Sequence, residues 1–193
     1  MIVPLQSEIR TERLLLRPLA DDDAPAIRRY AGDERVARFT ANIPHPYPED
    51  GAGHLLAIWR RKENAGTGRI FAICPADSRR DLIGMISLDE NDDGTVDFGY
   101  WLGLPFWGHG PMSEAAAAIA CFARTWRPAS RITARTHPDN GASQRVLEKA
   151  GFARDGVGTF EAPARNGGIV ENAPVFVLSP DGIDMPATAG AIA

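Results

Sequence analysis

The stretch FWGHGPMSEAAAAIACFA, Phe106 to Ala123, changes character halfway. It begins as a turn made of Gly108, His109, Gly110 and Pro111 and ends as a nearly unbroken run of alanine carrying Ile119, Cys121 and Phe122. The second half predicts a helix over roughly 113–126, with Ala115, Ile119, Phe122 and Trp126 on one face and alanine opposite, a helix packed on most sides. Helix N-termini carry unpaired N–H groups and a partial positive charge. Glycines remove side chains from the approach, so a strand, a GHG turn and a helix in succession can cradle a phosphate. The same residues also read as an ordinary tight turn. No Gly-Lys-Ser/Thr follows, which excludes a Walker loop. The helix comes after hairpin-connected strands, which excludes the dinucleotide fingerprint.

Upstream the period is that of strands. RIFAI (Arg69–Ile73), LIGMISL (Leu82–Leu88) and TVDFGYWL (Thr95–Leu102) are strand-like, and DENDDG (Asp89–Gly94) between the last two signals a hairpin turn. The acidic residues of that turn match no calcium-loop spacing and read as a solvated surface. Further back, RLLLRPL (Arg13–Leu19) reads as a strand, and ADDDAPAIRRYAGD as a helix with an acidic start and a glycine stop. The prolines at 44, 46 and 48 stiffen the next loop, and Leu55, Leu56 and Trp59 mark a second helix. Downstream, RITART (Arg131–Thr136) is a strand and NGASQRVLEKAG (Asn140–Gly151) a short helix, with Asn140 as N-cap and Gly151 as stop. VFVLSP (Val175–Pro180) reads as a final strand. This order predicts one mixed α/β domain over residues 1–180, a central sheet with helices on its faces, followed by a small-residue tail at 181–193 expected to be disordered.

At 193 residues the chain is long enough for one well-buried domain, and its net charge of −4 argues against nucleic acid or an anionic membrane as the main partner. Cys74 and Cys121 both sit in apolar runs and read as buried free thiols, which suits a reducing compartment. The first ten residues lack a basic segment followed by an apolar core, and no apolar stretch approaches the ~20 residues that span a bilayer. A cytoplasmic protein is expected. His45, His54, His109 and His137 show no metal-ligand spacing, so no metal is implied.

Four blocks in order are more specific than any one of them. TERLLLRPL at the start, IPHPY before the second helix, FGYWLGLPFWGHGPMSEA at the centre and N-x-x-S-x-x-V-L-E-K-x-G-F near the end cover roughly Thr11 to Leu178. Together they resemble the GNAT superfamily of acyl-CoA-dependent N-acetyltransferases, and within it the group that acetylates ribosomal-protein N-termini. The resemblance implies a mostly antiparallel sheet with a splayed strand pair that holds acetyl-CoA, the one co-substrate. It places the pantetheine arm along the strand near Trp101, Leu102 and Gly103, and the pyrophosphate at Trp107, Gly108, His109, Gly110, Met112 and Ser113. Asn140 would bind the pantetheine amide, and Ser143 would both contact coenzyme A and protonate its thiolate. Three departures stand out. Trp107 occupies a position where the family often has Arg or Gln, Pro111 has no N–H to offer, and Met112 replaces the usual Gly or Ala.

Asp97, on the strand where relatives often carry glutamate, is the candidate general base, acting through water because aspartate is one methylene shorter. By alternation with Val96 and Phe98 it is equally an outward-facing strand residue. Glu114, at a helix start, reads as a partner of the dipole. The acceptor is a primary amine, on a protein N-terminus or a small molecule. A free α-amine has pKa ~7.7–8.0 and a lysine ~10.4, so delivering neutral lysine at pH 7 costs about 3.5 kcal/mol more. One short carboxylate suits the weaker base. Two alternatives stay open: a non-catalytic acyl-CoA-binding module, and transfer of a larger acyl group such as succinyl, for which Arg69, Arg135 and Arg145 could supply charge. Loops Thr40–Gly51 and Gly156–Glu171 would set acceptor choice, and a monomer or a homodimer is equally compatible with the sequence.

Overall fold

Apolar runs too continuous for a one-faced strand decide the architecture. The computed structural model describes residues 8–164 and 168–178. In LLLR and GRIFAICP successive side chains alternate between two separate cores. Leu14, Leu16, Phe71 and Ile73 enter one, and Leu15, Ile70, Ala72 and Cys74 the other. A sheet covered on both faces has no polar side to alternate with.

The strands are β1 (Ile9–Arg10), β2 (Leu14–Arg17), β3 (Gly68–Pro75), β4 (Gly84–Glu90), β5 (Val96–Leu102), β6 (Ile132–Arg135), β7 (Phe152–Ala162) and β8 (Gly168–Leu178). They form one eight-stranded sheet in the order β1-β2-β3-β4-β5-β6-β8-β7. Of its pairings only β5–β6 is parallel. Helices α1 (Ala24–Ala31), α2 (Glu34–Ala37) and α3 (Gly51–Ala65) pack on the Leu15–Ile70 core, and α4 (Pro111–Trp126) and α5 (Gly141–Lys149) on the other. The expected mixed, mostly antiparallel α/β domain is what the chain forms.

The feature that positions the site is an opening in this sheet. Strands β5 and β6 share two registered pairs, Val96–Ile132 and Asp97–Thr133. Beyond them Phe98 to Leu102 stay with β4, while Ala134 and Arg135 pair with β8. Backbone hydrogen-bonding groups are thus exposed along the two edges of a V.

Several local expectations change. The short strand β1 and helix α2, and the long strand β7, carry too weak a period to be read from sequence, and Gly156–Glu171, expected as a loop, is largely strand, with β7 running to Ala162 and β8 starting at Gly168 rather than Val175. The acidic run Asp21–Asp23 forms a 3-10 turn before α1 rather than the helix itself. Asp23 is buried there because Arg17 grips it with two hydrogen bonds of 2.7 and 2.8 Å. Of the two cysteines Cys74 is buried, and burial pushes its thiol up to about 11. Cys121, expected to be buried, is exposed. It falls on the outward stripe of α4 with Thr125, one turn on, whereas Ala115, Ile119 and Trp126 face the core as expected. Ser179, Pro180 and the tail at 181–193 lie outside the described residues.

Candidate active site

The glycine turn places both of its outer glycines in the left-handed region, Gly108 at φ 81° and Gly110 at φ 86°. A side chain is disfavoured in that conformation. Gly110 is the N-cap of α4, with no side chain capping it. Glu114 N donates to Gly110 O at 3.2 Å and begins the helix, so the N–H groups of Met112 and Ser113 precede the first intrahelical bond. Pro111 contributes none. The Met112 side chain is buried in the core, so only its backbone can serve a ligand. The Trp107 indole N–H donates to Leu102 O at 2.7 Å, which ties the turn to the end of β5. Gly103 N donates to Ile83 O at 2.8 Å, and a Cβ there would lie 2.9 Å from the Tyr30 ring. Its glycine is a packing requirement.

The arms of the V carry polar groups on one face. Along β5, Val96, Phe98, Tyr100 and Leu102 point toward α4, and Trp101 points to the α1–α3 side. Tyr100 reaches α5: its hydroxyl lies 2.8 Å from Ser143 Oγ and donates to Ser143 O at 3.1 Å. Burial pushes the Tyr100 phenol far up, so it stays protonated at any physiological pH. Asn140 caps α5, its side-chain oxygen accepting from Ser143 N at 3.1 Å. Just past β6, Thr136 is buried and its Oγ1 has no hydrogen-bond partner among the described residues. An unpaired buried hydroxyl beside a sheet opening fits an extended polar ligand such as pantetheine.

Asp97 is on the opposite face. It sits at the closed end of the V, where its Oδ1 accepts from Thr133 Oγ1 at 3.0 Å and from Arg135 Nη1 at 3.1 Å. The two catalytic candidates are therefore not neighbours. A group threaded through the opening would meet Ser143 and Tyr100 from one side and Asp97 from the other. Arg69 is stacked on Trp126 at 5.3 Å and Arg135 is engaged with Asp97, which leaves Arg145 as the freer of the three arginines considered for an acidic acyl group.

The β6–α5 loop leads from the V to a cavity of about 350 Å3, lined by His137, Pro138, Ala162 and Gly168 to Glu171. Phe39 packs edge-on against His137, and Ala164 N donates to Ala41 O, so the loop after α2 joins this wall. Among the described residues no three His, Cys, Asp or Glu side chains gather as a metal site, and no helix is long and apolar enough to cross a membrane.

Sequence reasoning missed Tyr100 and the contacts of Glu114. Strand alternation alone could have put Tyr100 on the α4–α5 face. Glu114 accepts from Thr11 Oγ1 at 2.6 Å, Arg13 N at 2.8 Å and Arg13 Nε at 2.7 Å, partners a hundred residues away that no local pattern announces.

Fold, opening and turn together define a GNAT acetyltransferase, and comparison with known proteins agrees. The family model for the acetyltransferase (GNAT) domain matches residues 13–153. The chain belongs to that family and is an acyltransferase. It is 27% identical over 149 residues to an uncharacterized N-acetyltransferase, p20, of Bacillus licheniformis, covering 76% of this chain and 83% of that one. A GNAT-family acetyltransferase of Bacillus anthracis superposes with a TM-score of 0.68 at 25% identity, over 88% of this chain and 95% of that one. RimL, a ribosomal L7/L12 alpha-N-protein acetyltransferase solved with coenzyme A, has the same fold with a TM-score of 0.72 at 16% identity, over 90% of this chain and 99% of that one.

Proposed function

We infer that the enzyme moves an acetyl group from acetyl-CoA to a weakly basic primary amine, the α-amine of a polypeptide or of a small molecule. The observation that carries this reading is the Tyr100–Ser143 hydroxyl pair beside the open V, next to a helix start with no side-chain cap. Acetyl-CoA supplies the thioester: a C–N bond forms, the C–S bond breaks, the amine loses a proton and the departing thiolate needs one.

Ser143 is placed to give that proton. Asn140 fixes its backbone and the Tyr100 hydroxyl orients Ser143 Oγ, which regains its proton from water after the transfer. Asp97, held by Arg135 and Thr133, receives the amine proton through water from the other side of the sheet. The N–H groups of Met112 and Ser113, with the bare backbone of Gly108 to Gly110, hold the pyrophosphate. Acceptors enter by the cavity at His137, where Glu171 favours a cationic amine. The activity of RimL on a protein α-amine supports an α-amine acceptor here.

The test is thiol release from acetyl-CoA against α-amine, lysine-like and aromatic amines. Turnover is expected with α-amines, falling ~100-fold in kcat in Ser143→Ala and in Asp97→Asn with coenzyme A affinity retained. Tight binding without release for any amine would replace this reading with a non-catalytic acyl-CoA module.

A further inference from the structure

The glycine turn has a charge problem. Residues Trp107 to Ser113 include no lysine or arginine, yet the site is to hold a pyrophosphate. A cation reaches it from the other end of the chain. Arg13, in the turn between β1 and β2, lays its guanidinium against the loop: Nη1 donates to His109 O at 3.1 Å, and Nη2 lies 3.4 Å from where a Cβ would stand on Gly110. Nε is engaged by Glu114 Oε2 at 2.7 Å. Nη2 keeps its donors free of any partner among the described residues and sits at the N-cap of α4, where the helix dipole is also positive.

Glu114 is what aims it. That carboxylate is shielded from solvent, and burial alone would raise its pKa. The bonds from Thr11 and Arg13 outweigh burial and hold it below the usual glutamate range. Glu114 takes Nε and the Arg13 backbone N–H on one side, which directs the guanidinium toward the turn. Fixing Nη1 on the His109 carbonyl also keeps an acceptor oxygen from facing an incoming phosphate.

We propose that Arg13 is a phosphate-binding residue for coenzyme A and that Thr11 and Glu114 are positioning residues acting through it. This rests on the turn being the coenzyme A phosphate site. It assigns a binding role to Arg13, which stands just before strand β2.

The test is calorimetric titration of wild type, Arg13→Gln, Arg13→Lys and Glu114→Gln with coenzyme A and with its nucleotide half, 3′-phosphoadenosine diphosphate. A kinetic arm uses S-acetyl-pantetheine, which carries no phosphate. Arg13→Gln is expected to weaken both phosphate-bearing ligands by the same factor, about tenfold, and to flatten their salt dependence. Arg13→Lys and Glu114→Gln, which keep the cation but lose its aim, fall between. The KM and kcat for S-acetyl-pantetheine stay within about twofold, which a merely structural latch would not predict. Unchanged coenzyme A affinity in a folded Arg13→Gln, or an equal loss with S-acetyl-pantetheine, overturns the proposal. Should Arg13→Gln not fold, the same outcomes are read from Arg13→Lys. Wild type that binds neither phosphate ligand overturns the reading of the turn itself, and the proposal with it.

Discussion

Helices α4 and α5 pack on the same face of the sheet, and they start in opposite ways. Helix α5 is closed by its own sequence: Asn140 folds its side chain onto Ser143 N and satisfies an end group internally. Helix α4 begins at a left-handed glycine followed by proline, with no side-chain cap. An uncapped end costs stability unless something outside completes it. In the proposed function the closed start would hold a hydroxyl still for proton transfer, and the open one would receive a ligand. Both uses come from the unpaired N–H groups of a helix start, one fewer in α4 because Pro111 has none.

The comparison breaks most sharply at Gly110. A Gly110→Val change forces a branched side chain into φ 86° and drives it toward Arg13. Coenzyme A affinity is expected to drop at least ~100-fold by calorimetry, equivalent to about 2.7 kcal/mol. Retained affinity in a folded variant would mean that the open start is only a turn.

At the closed start, Asn140→Ala removes the cap. A stability loss of about 1 kcal/mol is expected by urea denaturation, together with a drop in kcat larger than any change in coenzyme A affinity, because Ser143 is no longer held. Equal losses in both would assign Asn140 to ligand binding instead.

The smallest effect concerns Glu114 in the first turn of α4. Its folded pKa lies below its ordinary value, so its contribution to stability is complete above the ordinary glutamate range and disappears as pH falls through the folded value. Wild type is therefore expected to melt roughly 2–4 °C above Glu114→Gln at pH 7, with the gap closing as pH falls below the ordinary glutamate range and through the folded value. A gap that persists in acid would show that packing, and not the carboxylate, holds the β1–β2 turn to α4.

Legibility followed range. The β4–β5 hairpin, the two helix starts and the end of the final strand, from Val175 to Leu178, are readable because glycine, proline, asparagine and alternating apolar residues act within a few positions. Strand β7 was not, since its exposed residues show no apolar period. Cys121 was misplaced because an apolar neighbourhood in sequence does not say which side of a helix a residue takes. The site divided in the same manner. The turn residues 108–110 and the cap Asn140 are visible locally, but Tyr100 joins the candidate site only because α5 packs over β5.

By itself the sequence determined a two-faced α/β sheet, a glycine turn before a buried helix, and Asn140 and Ser143 at the head of another. Tertiary structure alone decided that Asp97 and Ser143 face opposite sides of the opening, that Arg17 buries Asp23, and that Arg13 and Glu114 meet at the turn. The reason is physical. Backbone propensity and capping are settled by neighbours in the chain, whereas charge pairing and proton transfer depend on distances of a few ångströms between residues that only the packed sheet brings together.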